Sequence, residues 1–132
     1  MRYLLDTSVC VPLINGTDER LRLRLLEQSP SLVLLCSVVK AELLFGAHNS
    51  GRVAENLDRV SRFCRVFESL PFDDEAASHY GSIRAQLKRE GRLIGANDLL
   101  IAATALAADV TLATRNLDEF RRVPGLMVDD WR

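Results

Sequence analysis

Three acidic residues stand where an ionised group is costly unless something answers it: Asp6, Glu42 and Asp98. Asp6 closes the short apolar run Tyr3-Leu4-Leu5 and precedes Thr7-Ser8. If the run is a strand, Asp6 stands at its carboxyl end, where open α/β sheets bind ligands; the plainer alternative is a helix N-cap. Glu42 lies in Ser37-Val38-Val39-Lys40-Ala41-Glu42-Leu43-Leu44-Phe45, on the stripe marked by Val38, Ala41 and Phe45. That position predicts an inward carboxylate needing a metal or a partner arginine. Asp98 follows Gly95-Ala96-Asn97 at the head of a helix uncharged from Leu99 to Ala108, where it or Asn97 could simply cap. A fourth group sits in Thr114-Arg115-Asn116-Leu117-Asp118-Glu119-Phe120: Asn116 and Glu119, three apart, share a helical face, while Asp118 points toward solvent.

Gathered in one place, such carboxylates repel and raise one another's pKa. A hard divalent cation relieves this, and oxygen ligands without histidine or cysteine select Mg²⁺ or Mn²⁺ over zinc. His48 and His79 are the only histidines and fall outside these motifs. Cys10, Cys36 and Cys64 have neither zinc-site nor redox spacing and read as reduced thiols of a cytoplasmic protein. With no nucleophile motif, the implied chemistry is metal-activated water attacking a phosphodiester in line. Arg92 and Arg115 are the candidate phosphate contacts, with Thr7 and Thr114 as neighbouring substrate contacts; Arg84, Lys88 and Arg89 read as solvated surface.

The elements that must carry these residues follow from the apolar runs. Strands are expected at Tyr3–Leu5, Leu32–Cys36 (continuous and therefore buried on both faces), Leu70–Phe72, Val110–Thr114 and Leu126–Val128. Helical periodicity marks Val53, Leu57, Val60, Phe63, Cys64 and Phe67, with Glu55–Arg59 and Asp58–Arg62 on the opposite face. Another helix opens at Asp73-Asp74-Glu75 and ends at Lys88-Arg89 before Gly91. Leu21-Arg22-Leu23-Arg24-Leu25 fits strand or helix and is assigned to helix, with Asp18 as its cap. Its leucines leave a possible partner-binding patch at the surface. Alternating strands and helices predict an α/β fold: a central, mostly parallel sheet of about five strands with helices on both faces.

The 132 residues suit one domain, 1–132. A net charge of −1 excludes a general polycation, so nucleic-acid binding must rest on local clusters. All but Lys40 and Lys88 of the 17 basic residues are arginine. No signal peptide or membrane-length apolar run is expected.

Taken in order, the motifs resemble those of the PIN-domain ribonucleases, in particular VapC-type toxins of type II toxin–antitoxin pairs. Leu4-Leu5-Asp6-Thr7-Ser8 is similar to the family's opening, Ser37–Leu43 to its second acidic motif, Gly91–Ala102 to its third and Thr114–Phe120 to its fourth. Val123-Pro124-Gly125-Leu126 and Asp130-Trp131 resemble its ending. The resemblance implies a three-layer PIN fold and a Mg²⁺- or Mn²⁺-dependent endoribonuclease. Such an enzyme arrests translation by cutting tRNA or rRNA at structured loops. It implies Asp6, Glu42 and Asp98 as catalytic metal ligands, and a homodimer masked by a VapB-like antitoxin. The chain departs from the pattern at Asn116, where many relatives carry Asp; Glu119 can take over that role. Two alternatives stay open: a non-catalytic PIN scaffold that binds RNA or protein, and a receiver-like domain phosphorylated on Asp. The latter would require an acceptor Asp after the third strand and a late Lys.

Overall fold

A computed structural model describes all 132 residues. Five strands, β1 (Tyr3–Leu5), β2 (Val33–Cys36), β3 (Glu68–Leu70), β4 (Thr111–Thr114) and β5 (Val128–Asp130), form one sheet in the order β3-β2-β1-β4-β5. Every neighbouring pair is parallel. The helices are α1 (Thr7–Asn15), α2 (Glu19–Leu26), α3 (Ser37–His48), α4 (Val53–Cys64), α5 (Asp74–Arg89), α6 (Ala96–Ala108) and the single turn α7 (Leu117–Phe120).

Right-handed crossovers dictate the layers. Stepping from β1 through β2 to β3 carries α1 to α4 over one face; the return to β4 carries α5 and α6 over the other. The contacts agree, with α1, α3 and α4 packed together and α5 against α6. Burial on both faces explains why β2 and β4 are buried at every position. It also explains α6, where Leu99 and the run Ile101–Ala105 are buried. Thr104, the polar residue within that run, satisfies its hydroxyl on Leu100 O at 2.8 Å.

The edges depart from expectation. β3 lies at Glu68–Leu70, two residues before the expected Leu70–Phe72, because Pro71 has no N–H to continue the ladder. β5 lies two residues later than expected, at Val128–Asp130. Leu126 N–H is taken by the preceding turn at Val123 O, so pairing begins at Met127 O, which accepts from Leu112 N–H. The ambiguous segment is helical: Asp18 caps α2 by accepting from Leu21 N–H at 3.0 Å. α1, which the apolar pattern did not announce, tolerates Pro12 and ends on Gly16 in the left-handed region at φ 65°. Gly91 adopts φ 67° after α5, and Arg92 N–H returns to Leu87 O at 2.8 Å.

Asp73 caps α5 through Ala76 N–H at 2.9 Å. Asp73→Ala is expected to cost about 1 kcal/mol, read as a lower urea midpoint at unchanged m-value.

Candidate active site

β1 and β4 lie side by side, yet the chain leaves them toward opposite faces of the sheet. Such a switch point opens a crevice beyond the strands' carboxyl ends. Asp6 follows β1 there, and Thr114 ends β4.

Asp6 is 3% exposed. It holds the N-cap position of α1, and its backbone carbonyl accepts from Val9 and Cys10, but its carboxylate makes no cap bond. Instead Oδ2 accepts from Ser8 Oγ at 2.7 Å and Thr114 Oγ1 at 2.8 Å. Each hydroxyl oxygen in turn accepts a backbone N–H from the turn after β4. Arg115 N donates to Ser8 Oγ at 3.1 Å, and Asn116 N donates to Thr114 Oγ1 at 2.9 Å. Asp6 therefore has one oxygen doubly bound and the other without a protein donor.

The helix α3 turns differently from the expected stripe. Val39, Leu43 and Ala47 face the core, whereas Ala41 is exposed and Phe45 is 68% exposed. Glu42 thus lies at the boundary of the buried face. It lines a groove of about 650 Å³ together with Thr7, Val38, Phe45, Asn97 and Leu100. No arginine answers it, so the salt-bridge alternative falls. Its Oε1 accepts from Thr7 Oγ1 at 2.7 Å and its Oε2 from Asn97 Nδ2 at 3.4 Å.

Asp98 is the third residue of α6, whose N-cap is Gly95 with no side-chain bond, so neither Asn97 nor Asp98 caps this helix. A Cβ at Gly95 would lie 3.5 Å from Asp98 Oδ2, which shows the carboxylate folded back over its own first turn. Its pKa is pushed up to about 8. Burial is the main cause, followed by the Glu119 carboxylate beside it and the negative charge of Asp6 and Glu42. Asn116 caps nothing through its side chain; its Nδ2 donates to Glu119 Oε2 at 3.0 Å and so holds the acid next to Asp98.

The fold therefore brings Asp6, Glu42, Asp98, Asn116 and Glu119 to one end of the sheet. It treats the expected substrate contacts unequally. Thr7 is partly exposed and faces Glu42. Thr114 is fully buried, and its hydroxyl belongs to Asp6. Arg92 is exposed with no ion pair, whereas Arg115 folds back to pair with Asp18. Ser8 and Asn97 were missed as working parts of the site. Their only signal was adjacency: a hydroxyl two residues after an aspartate is a common local partner.

The donor set suits a hard cation in type and in charge. Four carboxylates share the cleft, and none of them forms an ion pair with an arginine or lysine. Burial, and after it the other three acids, make a charged Asp98 costly here, and a bound cation would relieve that cost. No three acidic, histidine or cysteine side chains close around one ion-sized point in this arrangement.

An all-parallel α/β sheet with an acidic crevice at its switch point places the chain in the class of three-layer α/β domains that bind ligands beyond their strand ends. The PIN domain model matches residues 3–126. The chain is 36% identical over 133 residues to ribonuclease VapC2 of Rickettsia felis, covering 99% of this chain and 98% of that protein. It is 36% identical over 131 residues to the tRNA(fMet)-specific endonuclease VapC of Salmonella typhimurium, with the same coverage. The fold superposes on the crystal structure of DNA-bound VapBC from Salmonella typhimurium with a TM-score of 0.94 at 35% identity, covering 100% of this chain and 99% of that one. The chain belongs to the PIN-domain family, among the VapC ribonucleases.

The receiver-like alternative falls with the topology. Its acceptor would follow the third strand, but β3 is an edge strand and Asp73 beyond it is a helix cap.

Proposed function

We propose that this chain is a Mg²⁺- or Mn²⁺-dependent endoribonuclease toxin that cuts structured RNA, a tRNA first among candidates because the Salmonella relative is named for one. The observation that carries the reading is a crevice holding four acids and no neutralising side chain, where burial and the neighbouring carboxylates push the pKa of Asp98 up. Asp6, Glu42 and Asp98 would hold the ion; when bound, it supplies the positive charge that activates water and steadies the phosphate oxygens. Ser8 and Thr114 fix the orientation of Asp6, and Thr7 and Asn97 hold Glu42 at the groove. Glu119, beside Asp98 and held by Asn116, would complete the acidic set. Asn116 adds an amide where an acid would add charge, so Glu119 replaces the fourth negative group. Arg92 is the free cation proposed to meet phosphate.

The neighbouring VapBC complexes support a VapB-type antitoxin as partner. We propose a homodimer as the toxin's working form. The exposed Phe45 and Leu93 are the first residues to test in its interface. No helix is long and apolar enough to cross a membrane. An RNA substrate of this kind places the work in the cytoplasm.

The test is incubation of the purified chain with total tRNA and mapping of the new ends. Discrete cleavage with Mg²⁺ or Mn²⁺, abolished by EDTA, is expected. Intact RNA with either metal, despite measurable RNA binding, would favour the non-catalytic scaffold.

A further inference from the structure

Arg115 stands one residue after the strand that carries Thr114, at the mouth of the crevice, where a phosphate contact would be natural. The structure gives it another task. Its guanidinium turns away to pair through Nη2 with Asp18 Oδ2, and the pair is largely shielded, with side-chain exposures of 28% and 27%. Asp18 is doubly engaged, because its other oxygen caps α2 at Leu21 N–H. Arg115 Nε is buried with no partner, so the hold on this side chain rests on the Asp18 contact. α2 is also anchored at its far end. Arg24 donates to Asp130 O at 2.9 Å and to Asp129 Oδ2 at 3.2 Å, and it lies over the Trp131 ring at 5.1 Å. The helix is therefore a fixed post to which the turn after β4 is tied.

That turn aims the hydroxyls that hold Asp6. Ser8 has one proton, and it goes to Asp6 Oδ2 because Arg115 N–H occupies a lone pair on the Ser8 oxygen. Asn116 N–H does the same for Thr114. Moving Arg115 moves both amides, and with them the direction of both hydroxyl protons.

We propose that the Arg115–Asp18 pair is a positioning device that ties α2 to Asp6 through the Arg115 backbone and Ser8, and that Arg115 is not an RNA contact. The inference rests on the reading of Asp6 as a metal ligand. Outer groups that orient a ligand commonly change metal affinity or activity by about 10-fold to 100-fold when removed.

The test compares the full-length chain with Arg115→Ala and Asp18→Asn. Asparagine still caps α2 but presents an amide to Arg115, so this variant separates the tie from the stability of the helix. Mn²⁺ affinity is measured by calorimetry, and kcat and KM on a cleaved tRNA by initial rates. Each variant is expected to weaken Mn²⁺ binding and lower kcat by about 10-fold with KM unchanged, and the double variant to do no worse than either single one. Arg115→Ala raising KM with Mn²⁺ affinity intact would make Arg115 a phosphate contact and overturn the proposal; so would wild-type values in both variants. A wild-type chain that binds Mn²⁺ but cuts no RNA would sink the ribonuclease reading alone, leaving the calorimetry to decide the tie. A wild-type chain that binds no Mn²⁺ would overturn both.

Discussion

Asp98→Asn is expected to abolish RNA cleavage, by about 1000-fold or more, while making the metal-free fold more stable. The two effects share one cause. Asp98 has its pKa raised from 3.8 to about 8 in the folded chain by burial and by the carboxylates around it. Between those values the folded state holds a proton that the unfolded state has released, so folding stability falls as pH rises and the loss is complete above about pH 8. Asparagine has no charge to bury. The variant should therefore match the wild type near pH 4 and exceed it increasingly up to pH 8. Because the carboxylate is partly solvated, water screens much of the repulsion, and the gain at pH 8 is about 1–3 kcal/mol. Thermal melts in EDTA across this range provide the measurement. Added Mn²⁺ should raise the melting temperature of the wild type far more than that of the variant, since the ion stabilises only a state whose ligands can ionise to receive it. Equal melting curves at pH 8 would show that burial and its neighbours do not destabilise a charged Asp98, and retained cleavage would remove Asp98 from the set proposed to hold the metal.

Trp131→Ala is expected to cost about 3–5 kcal/mol, a large share of the stability of a domain this size. Trp131 is fully buried, with its ring 5.2 Å from that of Tyr3 on β1. Its Nε1 donates to Asp129 Oδ2 at 3.1 Å, and its backbone N–H bonds Thr114 O at 3.0 Å. Arg24 lies over its face. The residue seals the β4–β5 side of the sheet under α2, so its removal leaves a cavity and frees the Arg24 anchor together. Circular dichroism in urea is the appropriate measurement, because this is the chain's one tryptophan and its fluorescence disappears with it. Trp131→Phe keeps most of the volume and should lose about half as much. A midpoint close to the wild type for Trp131→Ala would mean that the edge of the sheet is held by other contacts.

Much of this protein is legible along the chain because the quantities concerned are local. Burial on both faces writes itself as a charge-free, largely apolar run, and so β2, β4 and the body of α6 fall where the runs are. The edge strands do not write themselves this way. β3 and β5 carry polar residues open to solvent, Glu68 exposed and Asp129 half-buried, and their limits come from Pro71 and from the turn bond at Leu126. The wrong inward stripe on α3 has a similar origin. Val38, Ala41 and Phe45 are as apolar as Val39, Leu43 and Ala47, and only the packing of α3 against its neighbours selects the second set.

The acids themselves were visible in the sequence as residue types in an ordered set of motifs. Whether each was a cap, an ion-pair partner or a member of a cleft was not, because these outcomes differ by a side-chain rotation rather than by composition. The chain folded in space resolves them: Asp6 turns to two hydroxyls, Glu42 meets no arginine, and Asp98 sits three places past the true cap. The same holds for Arg115, whose charge suggests an RNA contact and whose geometry ties it to Asp18. Sequence alone settled which groups exist and, α1 excepted, the order of the elements that carry them, since both follow from covalent connectivity and local periodicity. Tertiary structure decided which of those groups face one another, because a hydrogen bond between residues 97 or 108 positions apart depends on the whole sheet being assembled first.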